Sequence, residues 1–391
     1  MRKLLVCLVA LLLHGAVVTA AELRGTGDLG IVIERAAGSV QIVETTHRVA
    51  LGRVEGLGDL SHASAVFSRD GRYAYVFGRD GGLTKVDLLE RRIANRVVQA
   101  GNSIGGAISD DGSLVAVANY EPGGVKVFDA ETLTPVADIP SVTLADGKRA
   151  KVVGLEDSGH RRFAFSLYEA GQTWLADLAD PAHPKVERFE NVGKLPYDAL
   201  VTPDGRFYIA GLFGEDGLAL IDLWHPEKGA THILEGYDKG EEPLPVYKMP
   251  HLEGWAEAGD LLFLPAIGRH ELLVVERRDW QEVGRIPVHG QPVFAEARPD
   301  GRQVWVNFAH PDNDVVQVID VPTLRVVDTL RPGKAVLHLE FTPRGEQVWI
   351  SARDSDEVVV YDTETRTVMT RINAAKPSGI FFTARANRIG L

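Results

Sequence analysis

Cysteine is almost missing: the 391 residues contain one, Cys7. That count excludes a disulfide scaffold, a cysteine-ligated zinc site and an iron–sulfur cluster. Basic residues are short too, with 42 Lys and Arg against 54 Asp and Glu, a net charge of −12. Nucleic-acid affinity rests on cations neutralising phosphates, so no nucleic-acid partner is expected. Long apolar runs are confined to the N-terminus. Leu4 to Leu13 follow Arg2 and Lys3, and Val18-Thr19-Ala20 offers a small-residue cleavage site before Ala21. This is the pattern of a secretory signal peptide, shorter than the ~20 apolar residues that a spanning anchor needs. The expectation is a signal peptide over 1–20 and a periplasmic protein cleaved near Ala20/Ala21. Losing Arg2 and Lys3 takes the charge from −12 to −14.

What is abundant is turn formers, with 40 Gly and 20 Pro. They recur in register. Arg69-Asp70-Gly71, Asp110-Asp111-Gly112, Asp157-Ser158-Gly159, Pro203-Asp204-Gly205, Glu257-Ala258-Gly259, Pro299-Asp300-Gly301 and Pro343-Arg344-Gly345 each precede alternating apolar runs. The glycines are separated by 41, 47, 46, 54, 42 and 44 residues. Such a period, with four short strands per unit, is the signature of a β-propeller. The strands are termed a to d from axis to rim, with a tight hairpin joining a to b. Residues 378–384 read as an eighth a strand, and 31–54 as b, c and d without an a. The expected fold is therefore all-β: an eight-bladed propeller closed by a composite blade from both termini, one domain over 21–391. Seven blades is the alternative.

In that architecture the starts of a strands and the b–c loops share one mouth of the central channel. His62, His251 and His338 stand near a-strand starts. The b–c loops carry Arg79 and Asp80, Asn119 and Tyr120, Tyr168, Arg269 and His270, His310, and Arg353. Imidazole is a metal ligand and guanidinium pairs carboxylates bidentately, so the set suits a ligand bearing both a metal and carboxylates. Each residue also has a plainer reading, as a hydrogen-bonded loop histidine or a solvated or ion-paired arginine. Gly25-Thr26-Gly27-Asp28-Leu29-Gly30 matches the dinucleotide fingerprint but precedes a strand rather than a helix, so NAD binding is not expected. There is no C-x-x-C-H motif, so no covalent haem is expected.

Two stretches are specific. His62 is followed by Gly71-Arg72-Tyr73 and Gly78-Arg79-Asp80-Gly81, and Met249-Pro250-His251-Leu252-Glu253-Gly254-Trp255 forms the second. Both resemble the haem d1 domain of cytochrome cd1 nitrite reductase, an eight-bladed propeller, in its proximal and distal histidine segments. The resemblance implies that His62 ligates the iron and that His251 acts opposite it, as second ligand or proton donor. Arg79, His338, His310, Arg353 and Tyr168 would complete the ligand surround. A second distal histidine of that family is replaced here by Val293. The chain is more similar to the exported haem d1 biosynthesis members of the family. This implies binding of haem d1 or dihydro-haem d1, with nitrite reductase or other maturation proteins as partners and a homodimer as one possible assembly. Three functions stay open: a tetrapyrrole-binding maturation protein, an oxidoreductase acting on a d1 precursor, and a ligand-free interaction propeller.

Overall fold

The computed structural model describes residues 25–237, 254–266 and 268–388. Within them the chain forms eight four-stranded antiparallel sheets. Seven are continuous in sequence. Blade 1 runs from Ser64 to Val98, blade 2 from Asn102 to Ile139, and blade 3 from Val152 to Phe189. Blade 4 runs from Pro196 to Ile233, blade 5 from Ala256 to Pro287, blade 6 from Pro292 to Leu330, and blade 7 from Val336 to Asn373. The eighth pairs the C-terminal strand Pro377–Phe382 with Leu29–Glu34, followed outward by Ser39–Glu44 and Val49–Val54. Gly30 stands opposite Phe382 and Val32 opposite Ile380. The composite blade expected from the two ends is thus the closure of the ring.

The recurring residues have local reasons. All seven hairpin glycines, Gly71, Gly112, Gly159, Gly205, Gly259, Gly301 and Gly345, have φ between +64 and +75. A side chain there would be strained, which is why the period is written in glycine. The third strand ends in an acid because its carboxylate closes the next turn. Asp87 accepts from the N–H groups of Leu89 and Glu90, Asp129 from Glu131 and Thr132, and Asp362 from Glu364 and Thr365. Apolar side chains fill the seams between blades. Val66, Tyr75, Phe77 and Leu83 of blade 1 pack on Ile108, Val115 and Val117 of blade 2. Burial of this kind, at roughly 25 cal/mol per Å² of apolar surface, is what holds blade to blade.

The fingerprint-like Gly25–Gly30 turn leads into the strand Leu29–Glu34 and no helix follows it. The helix N-terminus that would receive a pyrophosphate is therefore missing at this motif.

Candidate functional site at one mouth of the channel

Backbone bonds join b–c loops to a-strand entries within single blades. Tyr168 N–H donates to Lys151 O at 3.0 Å, Phe213 N–H to Leu195 O at 3.0 Å, Ala309 N–H to Gln291 O at 2.9 Å and Arg353 N–H to Ala335 O at 3.0 Å. In blades 3, 4, 6 and 7 the b–c loop therefore lies beside the entry of the a strand.

His62 precedes the first strand of blade 1 and is half-buried. Its imidazole makes no hydrogen bond among the described residues. Burial, followed by the positive charges of Arg79 and Arg35, lowers its pKa to about 4 against the opposing pull of Asp59. At neutral pH the ring is therefore neutral, the form that offers a nitrogen lone pair. Arg79 is exposed, and its guanidinium makes neither hydrogen bond nor ion pair among the described residues. The obvious partner is taken: Asp80 pairs with Arg96 at 2.8 Å and accepts from Gly82 N–H at 2.9 Å.

Arg35, in the b–c loop of the composite blade, completes this sector. It donates to Ser61 O, and burial and then Arg353 push its pKa down. Asp59 and Asp354 oppose that shift, and Arg79 adds to it, so three guanidinium groups and two carboxylates share the sector. The sequence reading missed Arg35. It follows the run Ile31-Val32-Ile33 and Glu34, and applying the b–c rule to the composite blade identifies it.

The remaining candidates fall in different places. Arg353 is half-buried and grips Asp354 with two bonds of 2.9 Å. Tyr168 is half-buried in an aromatic patch, 5.6 Å and edge-on from Tyr197. His310 is an exposed turn residue, and His270 is exposed. Asn119 is 1% exposed and is tied to Ser103 and Gln99 at 2.8 Å, so its polar group serves the loop itself. His251 lies outside the described residues.

His338 requires a correction of position. It is not at the mouth but is the third residue of the strand Val336–Phe341, and it is 1% exposed. Its Nδ1 accepts from Ile380 N–H at 3.2 Å, and its ring packs between Phe294 at 4.7 Å and Phe381 at 5.3 Å. The hydrogen bond crosses from blade 7 to the C-terminal strand. The alternation of the strand turns this residue into the seam, a feature that a count of histidines near strand starts cannot register.

Residues 24–386 match the model of the cytochrome D1 heme domain. This chain belongs to that family. The protein NirF of Stutzerimonas stutzeri is 62% identical over 370 residues, covering 94% of this chain and 95% of that protein. NirF of Pseudomonas aeruginosa is 60% identical, with 94% of each covered. The dihydro-heme d1 dehydrogenase of Pseudomonas aeruginosa is 30% identical over 84% of this chain and 65% of its own length. Among solved structures, dihydro-heme d1 dehydrogenase NirN in complex with DHE superposes with a TM-score of 0.80 at 27% identity, covering 94% of this chain and 78% of that one. Arg35, Arg79 and His62 therefore sit on a scaffold shared with a structure solved with its ligand.

Proposed function

We propose that this chain is an exported protein that binds haem d1 or dihydro-haem d1 at the described mouth and serves a late step of haem d1 maturation for nitrite reductase. One observation carries the reading. A neutral imidazole and a guanidinium, neither making a hydrogen bond or ion pair among the described residues, stand beside Arg35 at one mouth of the channel of an acidic protein. That donor set fits a metal-bearing macrocycle with carboxylate substituents: a nitrogen lone pair for iron and cations for carboxylates. His62 would hold the iron, and Arg79 with Arg35 would pair the carboxylates. Each charge-assisted bond would contribute ~1.5–3 kcal/mol. The bound group would supply the iron and the conjugated ring; the protein supplies ligation, charge pairing and a dry wall. His251 takes the opposing position in this reading, on its sequence resemblance alone.

A second reading is that the chain oxidises a d1 precursor; the likeness to NirN and to the dihydro-heme d1 dehydrogenase favours it. Absorption titration with haem d1 tests the shared core of both readings. Saturable, one-to-one spectral change is expected, and no change with either haem d1 or its dihydro form overturns them. Adding an artificial electron acceptor to the dihydro-haem complex then separates the two. Multiple turnovers support the oxidoreductase, and binding without turnover supports the carrier. Export is tested by N-terminal sequencing of protein from the native host, where a start near Ala21 is expected and an intact Met1 contradicts it.

A further inference from the structure

Opposite the basic sector, the mouth carries a second chemistry. The aromatic groups come from blades 2, 3 and 4: in the ring of eight, blade 3 stands across the channel from blade 7 and blade 4 from the composite blade, while blade 2 joins them to blade 1. From those three blades come Tyr120, Tyr168, Tyr197 and Phe213, all half-buried. Tyr197 stacks on Phe213 with centroids 4.5 Å apart and planes inclined by 21°. Tyr168 meets Tyr197 edge-on at 5.6 Å, and the Tyr120 and Tyr197 hydroxyls hydrogen-bond at 2.9 Å. The ammonium of Lys151 lies 5.6 Å from the Tyr120 ring and 5.8 Å from that of Tyr168, and is anchored by Glu169 at 2.9 Å.

Four aromatics held to one another across three blades, yet left half-open to the mouth, are not needed to fill a core. The large aromatics of the blade seams, such as Phe163, Phe165 and Trp174, are wholly buried. The wall is also fixed in advance. Tyr120, Tyr168 and Tyr197 rest on the core between blades 2 and 3, and the loops of Tyr168 and Phe213 are tied by backbone bonds. A ligand surface meeting it loses no further side-chain freedom on the protein side.

We infer that Tyr168, Tyr197 and Phe213 determine which way round the ligand binds. The mouth is two-sided, cationic on one wall and aromatic on the other. It therefore selects a planar ligand whose carboxylates are grouped away from an apolar face or edge, and admits it in one orientation. The Tyr120–Tyr197 hydrogen bond holds the aromatic wall upright and makes Tyr120 a positioning residue. This inference rests on the tetrapyrrole reading above and adds to it the residues that discriminate orientation.

The test uses the full exported chain and haem d1 extracted from nitrite reductase. Phe213→Ser with Tyr168→Ser is expected to weaken binding at least tenfold. The bound species should also become heterogeneous, seen as two sets of haem signals in circular dichroism or NMR. Tyr197→Phe keeps the ring and removes only the hydroxyl; it is expected to retain affinity and broaden those signals. The far-ultraviolet spectrum and melting midpoint of each variant identify a loss caused by unfolding. Well-folded variants that bind haem d1 with wild-type affinity and a single set of signals overturn the inference while leaving the tetrapyrrole reading intact. Failure of the wild type to bind overturns both.

Discussion

Arg69 and Arg79 belong to successive turns of blade 1 and stand beyond opposite ends of its strand Tyr73–Phe77. Their surroundings differ completely. Arg69 lies in the hairpin turn and is spent on the fold. It donates to Ala386 O of the C-terminal 3-10 turn Thr383–Asn387 and to Ile108 O and Ser109 O of blade 2, and lies 3.9 Å from Asp157 of blade 3. Arg79 has no such partners. The same contrast separates the two histidines. His338 is packed between two phenylalanines and bonded across a seam, whereas the imidazole of His62 is unbonded among the described residues. Arg69 and His338 spend their side-chain polar groups on closing the ring, whereas those of Arg79 and His62 make no hydrogen bond among the described residues.

Substitution at the two ends sharpens that contrast. Arg69→Ala removes a donor from the Ala386 and Ile108 carbonyls, and leaves a buried carboxyl without its neighbouring cation, while Ser109 O keeps the Gly112 N–H at 2.7 Å. A loss on the order of 3 kcal/mol is expected in chemical denaturation. Arg79→Ala is expected to stay within ~0.5 kcal/mol of wild type in the same experiment and to show its effect only in haem affinity. Equal stability losses would erase the distinction between the ends. His338→Ala removes a ring from a packed seam together with a bond between blade 7 and the terminal strand. It is expected to cost ~2–4 kcal/mol without altering the spectrum of any bound haem. A changed haem spectrum in that variant would return His338 to the site.

The last comparison is one of pH. Burial pushes the Asp157 carboxyl up to about 7, overcoming the nearby charge of Arg69. Its folded value lies above the unfolded value of ~3.9, so the folded state holds the proton more tightly. The contribution is present below the unfolded value and is lost as pH rises toward and through 7. Asp157→Asn mimics the protonated form and should escape that loss. The melting midpoint of the variant relative to wild type should therefore rise between pH 4 and pH 8. A difference that stays constant over this range would contradict the assignment.

Much of this was legible in the chain because propeller geometry repeats. The hairpin glycines and the split eighth blade follow from local turn chemistry, which is encoded locally. The places of Arg79 and His62 in the repeat were legible for the same reason; the acids that close the third strands became clear only from their hydrogen bonds. Arg35 was hidden because its blade is the split one, where the repeat is broken. The aromatic wall was hidden because its members come from different positions in three blades: Tyr120 from the end of a strand, Tyr168 and Phe213 from loops, and Tyr197 from within an inner strand. Only the closed ring brings them together. His338 was misplaced because two residues along a strand separate a mouth from a seam, and periodicity fixes that register only loosely.

The central claim is that His62 is the group that meets the metal. Full-length wild type and His62→Ala should be titrated with haem d1 and compared by absorption. The account predicts that both bind, because the arginine and aromatic walls remain, but that the variant shows a different axial-ligand spectrum. Identical spectra for the two, with the iron in the same ligand state, would contradict it.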